Sequence, residues 1–130
     1  MCISTTAEHT ITISGAGSVE VNGVYRQRNP AIIPDAFSST CKEMSWNPAA
    51  MWEQLSDDRA WFESENGSYI YHNVGDGKWW IDGPSGAGVY TSLANTNIPP
   101  TGNYKPLANH RLKDLKVIVE ASSNGIDSFL

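Results

Sequence analysis

Aromatic side chains and a carboxylate are concentrated in residues 68–83, where their types and spacing could form a binding surface. If this segment contains a strand, the adjacent residues Trp79 and Trp80 must point to opposite faces of the sheet. Trp79 then shares a face with Ile81, whereas Trp80 shares the other face with Asp82. The polar neighbour predicts that Trp80 faces outward, where an indole could stack on a sugar or anchor a protein partner.

Two tyrosines extend this candidate surface. Tyr69 and Tyr71 lie on one face of the preceding predicted strand, and an aromatic platform forms if Trp80 lies opposite them. Two less specific interpretations stay open: the segment 28–60 could cover Trp80, or the rings could be ordinary cross-strand packing. The candidate binding residues are Trp80, Tyr69, Tyr71, Tyr90 and Asp82.

Motifs typical of catalysis or metal binding are not found. His9, His72 and His110 are scattered, and none has a second ligand at the spacing of a zinc site. The sequence has no Gly-x-Ser-x-Gly nucleophile motif. Residues 15–17 form Gly-Ala-Gly but lack the third glycine of a dinucleotide site, so they predict a turn or a bulge. We therefore expect no enzymatic activity, no cofactor and no metal.

The overall composition limits the possible partners and the compartment. A chain of 130 residues with 40% hydrophobic content predicts one domain, and a net charge of −5 argues against a nucleic-acid partner. Cys2 and Cys41 predict two free thiols in a reducing compartment, although a disulfide between them stays open. No apolar run reaches the roughly 20 residues needed to span a membrane. Because the N-terminus also lacks the pattern of a secretory signal, we expect an intracellular, cytoplasmic protein.

Strands and turns that would position these residues follow from local patterns. The Gly75–Gly77 turn predicts a hairpin, and residues 11–14 and 115–120 predict first and last strands that could pair and close the sheet. Asn47 followed by Pro48 predicts the start of a helix at about 48–56, inside an inserted segment at 28–60. The predicted fold is all-β: a small antiparallel barrel or sandwich with one short helix, a single domain over 9–120 and a loose C-terminal tail over 121–130.

Six short motifs follow one another in the chain: ITISGAG at 11–17, VNGVY at 21–25, YIY at 69–71, WWI at 79–81, Tyr90, and PPTG at 99–102. In this order they resemble a small uncharacterised β module of protist, algal and bacterial proteins. The chain departs from that pattern in its longer segment between Tyr25 and Trp61, and in Asn103-Tyr104, where the pattern prefers Trp. Such modules often accompany ankyrin repeats, kinase domains or ubiquitin-ligase domains, so the resemblance implies an accessory binding role.

We therefore expect a non-enzymatic binding module that presents an aromatic surface to a protein partner. A carbohydrate-binding, lectin-like domain that uses the same aromatic residues is the alternative. Neither interpretation involves a membrane span or nucleic acid.

Overall fold

The computed structural model of the protein describes residues 8–122, which form one eight-stranded antiparallel sheet and two short helices. The strands are β1 (Glu8–Ser14), β2 (Gly23–Arg28), β3 (Trp61–Glu63), β4 (Tyr69–Asn73), β5 (Lys78–Asp82), β6 (Gly88–Leu93), β7 (Lys105–Pro106) and β8 (Lys116–Ser122). A 3-10 helix at Val19–Val21 precedes β2. The sheet curves into a half-barrel, which confirms the predicted all-β fold.

The strand order is β7-β6-β5-β4-β3-β2-β1-β8. The predicted pairing of the first and last strands is present, with Glu8 opposite Ser122 at one end and Ser14 opposite Lys116 at the other. This pairing does not close the sheet, because β7 and β8 stand at its two ends without pairing to each other. The prediction that the sheet edges are removed is therefore wrong for the described residues.

Strands β4 and β5 form the predicted aromatic hairpin. Tyr71 lies opposite Trp80 and His72 lies opposite Trp79, so the two adjacent tryptophans point to opposite faces. Gly77, at the end of the connection, adopts a positive φ of 71°, and its N–H donates to the carbonyl oxygen of Asn73 at 2.9 Å. Glycine suits this position because a side chain at such a φ is strained.

The inserted segment contains two helices rather than one. The predicted helix is present as α2 (Pro48–Ser56), and the Asn47 side chain caps it by accepting from the N–H of Ala50 at 3.0 Å. The additional helix α1 (Asp35–Glu43) was not predicted. Both helices lie over one face of the sheet, where they bury Phe37 and Trp52 against its strands.

Two hydrophobic clusters stabilise the fold, one on each face of the sheet. The larger cluster contains Trp79 and Ile81, both 0% exposed, which confirms the predicted inward face of β5. The smaller cluster lies between the sheet and the two helices, and Tyr69 and Tyr71 belong to it. The helices therefore convert a sheet face that would otherwise be solvent-exposed into a second core.

The last strand is longer than predicted. β8 continues through Ser122, so residues 121 and 122 belong to the sheet rather than to a loose tail. The rest of the predicted tail, residues 123–130, and Cys2 lie outside the described residues. The predicted pair of free thiols therefore stays a prediction.

Candidate binding pocket

A pocket of about 200 Å³ lies between the sheet and the two helices. Four of the five predicted binding residues line it: Tyr69, Tyr71, Trp80 and Asp82. We refer to this space as the aromatic pocket. Cys41 of α1 also lines it, so the inserted segment supplies part of the wall.

Three aromatic rings form a row along the sheet side of the aromatic pocket. Tyr69 and Tyr71 are two residues apart on β4, and their ring centroids are 5.7 Å apart at an interplanar angle of 28°. Tyr71 then stacks on Trp80 of β5 with centroids 6.5 Å apart and an angle of 24°. Phe37 of α1 meets Tyr71 edge-on, with centroids 6.0 Å apart. The platform predicted from the sequence is therefore present, but a helix covers part of it.

Trp80 is partly buried and packs against the cluster beneath the helices. Its indole N–H donates to Oδ2 of Asp76 at 2.9 Å, which ties the ring to the turn of its own hairpin. A Cβ atom placed on Gly88 of β6 would lie 2.7 Å from Cζ3 of this ring. The absence of a side chain at Gly88 therefore allows the indole to lie flat against the neighbouring strand.

Asp82 is the buried carboxylate of the aromatic pocket. Only 4% of the residue is exposed, and Oδ1 has no hydrogen-bond partner within residues 8–122. Burial raises the pKa of Asp82 from its ordinary 3.8 to about 7, and hydrogen bonding by the Tyr69 hydroxyl offsets only part of this rise. An unsatisfied buried acceptor is costly, so Asp82 has a strong physical preference for a hydrogen-bond donor.

The other titratable groups lining the pocket remain neutral near pH 7. Burial raises the pKa of the Cys41 thiol and holds the pKa of Tyr69 and Tyr71 far above the ordinary value for a phenol. The negative charge of Asp82 adds to the shift of both tyrosines, because it disfavours a second negative charge nearby. Asp82 is therefore the group in this set whose charge changes near neutral pH.

Tyr90 does not belong to the aromatic pocket. It lies opposite Ile81, on the same sheet face as Trp79, and is 0% exposed. Its hydroxyl donates to the carbonyl oxygen of Arg111 and accepts from the N–H of Ser18 at 3.1 Å. The prediction that Tyr90 shares one aromatic surface with Trp80 is wrong, because the register of β5 with β6 puts the two rings on opposite faces.

The sequence allowed the segment 28–60 to cover the aromatic surface, but it did not identify the residues of that segment that line the pocket. Phe37, Thr40 and Cys41 of α1 line the aromatic pocket, as do Trp46 and Met51. Phe37 and Cys41 are four residues apart, a spacing that puts two apolar side chains on one helix face and could have indicated a buried helix.

Within residues 8–122 no group of three or more His, Cys, Asp or Glu side chains could hold a metal ion. Neither of the two described helices, each of nine residues, is long and apolar enough to cross a membrane. Neither a scan against protein-family models nor searches of curated proteins and solved structures found a match. The resemblance to the β module therefore stays a prediction.

Proposed function

We propose that this domain is a non-enzymatic binding module whose aromatic pocket receives a side chain of a protein partner. One observation carries the proposal: Tyr71, Trp80 and Asp82, from two paired strands, meet in a pocket whose buried carboxylate oxygen has no partner in the described chain. A fold stabilised only by packing has no need of such a carboxylate in a cavity, whereas a binding site gains specificity from it.

The size of the pocket favours a side chain over a larger ligand. Its volume of about 200 Å³ lies below the roughly 300–1,000 Å³ typical of pockets for drug-sized molecules. Helix α1 covers part of the ring row through Phe37, so the rings of Tyr69 and Tyr71 do not offer the open flat platform that stacking on a sugar requires. This geometry favours the protein partner over the carbohydrate alternative.

The chemistry of the pocket supports binding without catalysis. Burial raises the pKa of the Cys41 thiol, which makes it a poor nucleophile because the thiolate is the reactive form. Histidine is a common catalytic base. His72, however, packs edge-on against Trp79 on the sheet face opposite the aromatic pocket. The low count of two cysteines in 130 residues favours a reducing intracellular compartment. The net charge of −5 favours a protein over a nucleic acid as the partner.

Nuclear magnetic resonance titrations test the proposal with defined probes. We would add N-acetyl methylamide derivatives of single amino acids, and separately a set of monosaccharides, to the labelled protein. At least one amino-acid derivative is expected to shift the amide signals of Thr40, Gly86 and Gly88, which line the pocket. The Trp80→Ala variant should lose these shifts, whereas Leu93→Ala, which removes an exposed side chain from the same sheet, should keep them.

The other outcomes contradict the proposal in different ways. Shifts at the pocket with monosaccharides alone would favour the carbohydrate alternative. Shifts at Thr40, Gly86 and Gly88 that survive in Trp80→Ala would contradict the proposed role of the Trp80 ring in binding. An absence of shifts with every probe would remove the binding function of this pocket.

A further inference from the structure

The carboxyl group of Asp82 is buried in the aromatic pocket without a counter-ion among the described residues. The ion pairs within residues 8–122 join Arg28 to Glu63 and Arg59 to Asp57, and neither involves Asp82. Its Oδ1 atom also lacks a hydrogen-bond donor in this part of the chain. Buried charges in proteins are ordinarily paired, so a ligand that supplies a positive charge and a donor would complete the site.

The walls of the pocket favour the same sign of charge. Tyr69, Tyr71 and Trp80 line it together with Asp82, and a cation positioned over the face of one of these rings would gain a further attraction. An anionic ligand would meet the Asp82 carboxylate at close range. A purely apolar ligand would leave Oδ1 without a donor, which is costly in a desolvated site.

The hydrogen-bonding capacity of the pocket identifies the kind of cation. A quaternary ammonium has no N–H and cannot satisfy Oδ1 of Asp82. A guanidinium has five N–H donors in a fixed plane, whereas an ammonium has three compact donors. Beyond Asp82, the oxygen acceptors among the lining side chains are the hydroxyls of Thr40, Tyr69 and Tyr71, which suits the three donors of an ammonium better than the five of a guanidinium. Met51 and Leu55 of α2 provide an apolar wall for an aliphatic stem.

Building on the proposed binding function, we propose that the aromatic pocket binds the side chain of a lysine from a protein partner, with Asp82 as the counter-ion of its ammonium group. The ammonium group lies beside Asp82 among the aromatic side chains, and the methylene stem packs against the helix side of the pocket. The positive charge of lysine also complements a domain with a net charge of −5.

Binding of lysine should depend on pH through Asp82, since an ionised carboxylate attracts the ammonium and a protonated one does not. Its pKa of about 7 means that roughly one-tenth of the protein is ionised at pH 6 and nine-tenths at pH 8. The lysine ammonium stays charged throughout, with an ordinary pKa of about 10.4. The apparent affinity should therefore be about tenfold higher at pH 8 than at pH 6.

Other titratable groups near Asp82 do not account for such a change. Burial raises the pKa of Tyr69, Tyr71 and Cys41, which line the pocket with Asp82, and of Tyr25 in the larger cluster on the other sheet face. These groups therefore stay neutral between pH 6 and pH 8. Two further carboxylates lie near these tyrosines: Glu20 near Tyr25 and Asp76 near Tyr71. Both residues are exposed to solvent.

The test uses Nα-acetyl-lysine methylamide as the probe and follows the amide signals of Gly86 and Gly88 at pH 6 and pH 8. The norleucine, arginine and trimethyl-lysine derivatives are matched probes that change the charge or the N–H donors. We expect the lysine probe to bind most tightly, about tenfold better at pH 8. Asp82→Asn should weaken its binding at pH 8 at least tenfold and abolish the pH dependence, whereas Asp114→Asn, at an exposed position, should change neither.

The outcomes separate this inference from the proposed function. Binding of norleucine at the pocket, as tight as that of lysine or tighter, would overturn the lysine assignment while leaving a side-chain-binding pocket. Equal or tighter binding of the arginine or trimethyl-lysine derivative would overturn it in the same way. Unchanged lysine binding in Asp82→Asn would show that Asp82 is not the counter-ion. Failure of every amino-acid derivative to shift the pocket signals would remove both proposals.

Discussion

Replacing Asp82 with asparagine should make the domain more stable at alkaline pH. Asp82 is 4% exposed, and the pKa of its carboxyl group rises from 3.8 to about 7 on folding. A carboxyl group with a higher pKa in the folded protein binds protons more tightly there. Its contribution to the free energy of unfolding is therefore greatest below pH 3.8, falls as the pH rises towards 7, and is lowest above 7.

The magnitude follows from the slope of this linkage. Each pH unit between the two pKa values costs about 1.4 kcal/mol when one proton is held only by the folded state. Between pH 5 and pH 8 the wild-type protein should therefore lose about 2.5 kcal/mol relative to Asp82→Asn, because the slope disappears once the pKa of about 7 is passed. Asparagine has a similar shape and no charge, so the variant lacks this contribution.

Urea unfolding of both proteins at pH 5, 6, 7 and 8, followed by tryptophan fluorescence, measures the difference. Burial lowers the pKa of His72, which makes the folded state lose stability as the pH falls, but both proteins retain this effect and it cancels in the comparison. Asp114→Asn changes an exposed carboxylate and should follow the wild-type curve. Parallel curves for wild type and Asp82→Asn would refute the reasoning, since they would mean that Asp82 has the same pKa in the folded and unfolded protein.

Three further substitutions test the packing around the site. Trp79→Ala should lower the free energy of unfolding by about 3–5 kcal/mol, because a 0%-exposed indole leaves a cavity; a urea-melt loss below ~1 kcal/mol would contradict its place in the core. Asn47→Ala should cost about 1 kcal/mol by the same assay through loss of the 3.0 Å helix cap, and an unchanged midpoint would show that the cap is dispensable. Gly88→Ala should displace the Trp80 ring, shift tryptophan emission and lower the free energy of unfolding by about 1–3 kcal/mol. Gly102→Ala, with no atom near the added Cβ, should have none of these effects. Equal behaviour of the two variants would argue against the observed ring position.

Local sequence patterns were sufficient to predict the hairpin and one helix. Because successive side chains of a strand point to opposite faces of the sheet, Trp79 and Trp80 can be assigned to different faces without tertiary information. The second helix, α2, begins at Pro48 as predicted because the capping residue Asn47 stands directly before it. In both cases the signal and the structure that it determines lie within a few residues of each other.

Helix α1 was missed because its own residues are weak helix formers. Ser38, Ser39 and Thr40 compete for backbone hydrogen bonds and favour turns over helices. The helix is held instead by distant contacts: the ring of Phe37 packs edge-on against Trp52, with centroids 5.1 Å apart, and against Tyr71. Tertiary packing of this kind overrides local propensity and cannot be read from a single segment.

The sequence predicted which residues of the sheet lie together at the candidate site better than it predicted the shape of the pocket. Alternation placed Trp80 and Asp82 together, and the pairing of β4 with β5 brought Tyr71 beside them. Tyr90 was misplaced because its face depends on the register of β5 with β6, which contains an irregularity between Ile81 and Asp82. The bulge adds one residue to β6, so that Tyr90 lies opposite Ile81 although Gly88 lies opposite Asp82. Short turn motifs do not reveal such an extra residue.

The pairing of β1 with β8 has a consequence for how the chain folds. Glu8 and Ser122 are neighbours in the sheet although almost the whole chain separates them, so this ladder needs the largest loop closure in the domain. The β4–β5 hairpin needs a connection of only four residues and should form far earlier. A circular permutant that links Ser122 to Glu8 and opens the exposed loop at Gly102 would convert the slowest pairing into a local hairpin, and should fold faster while retaining the same sheet.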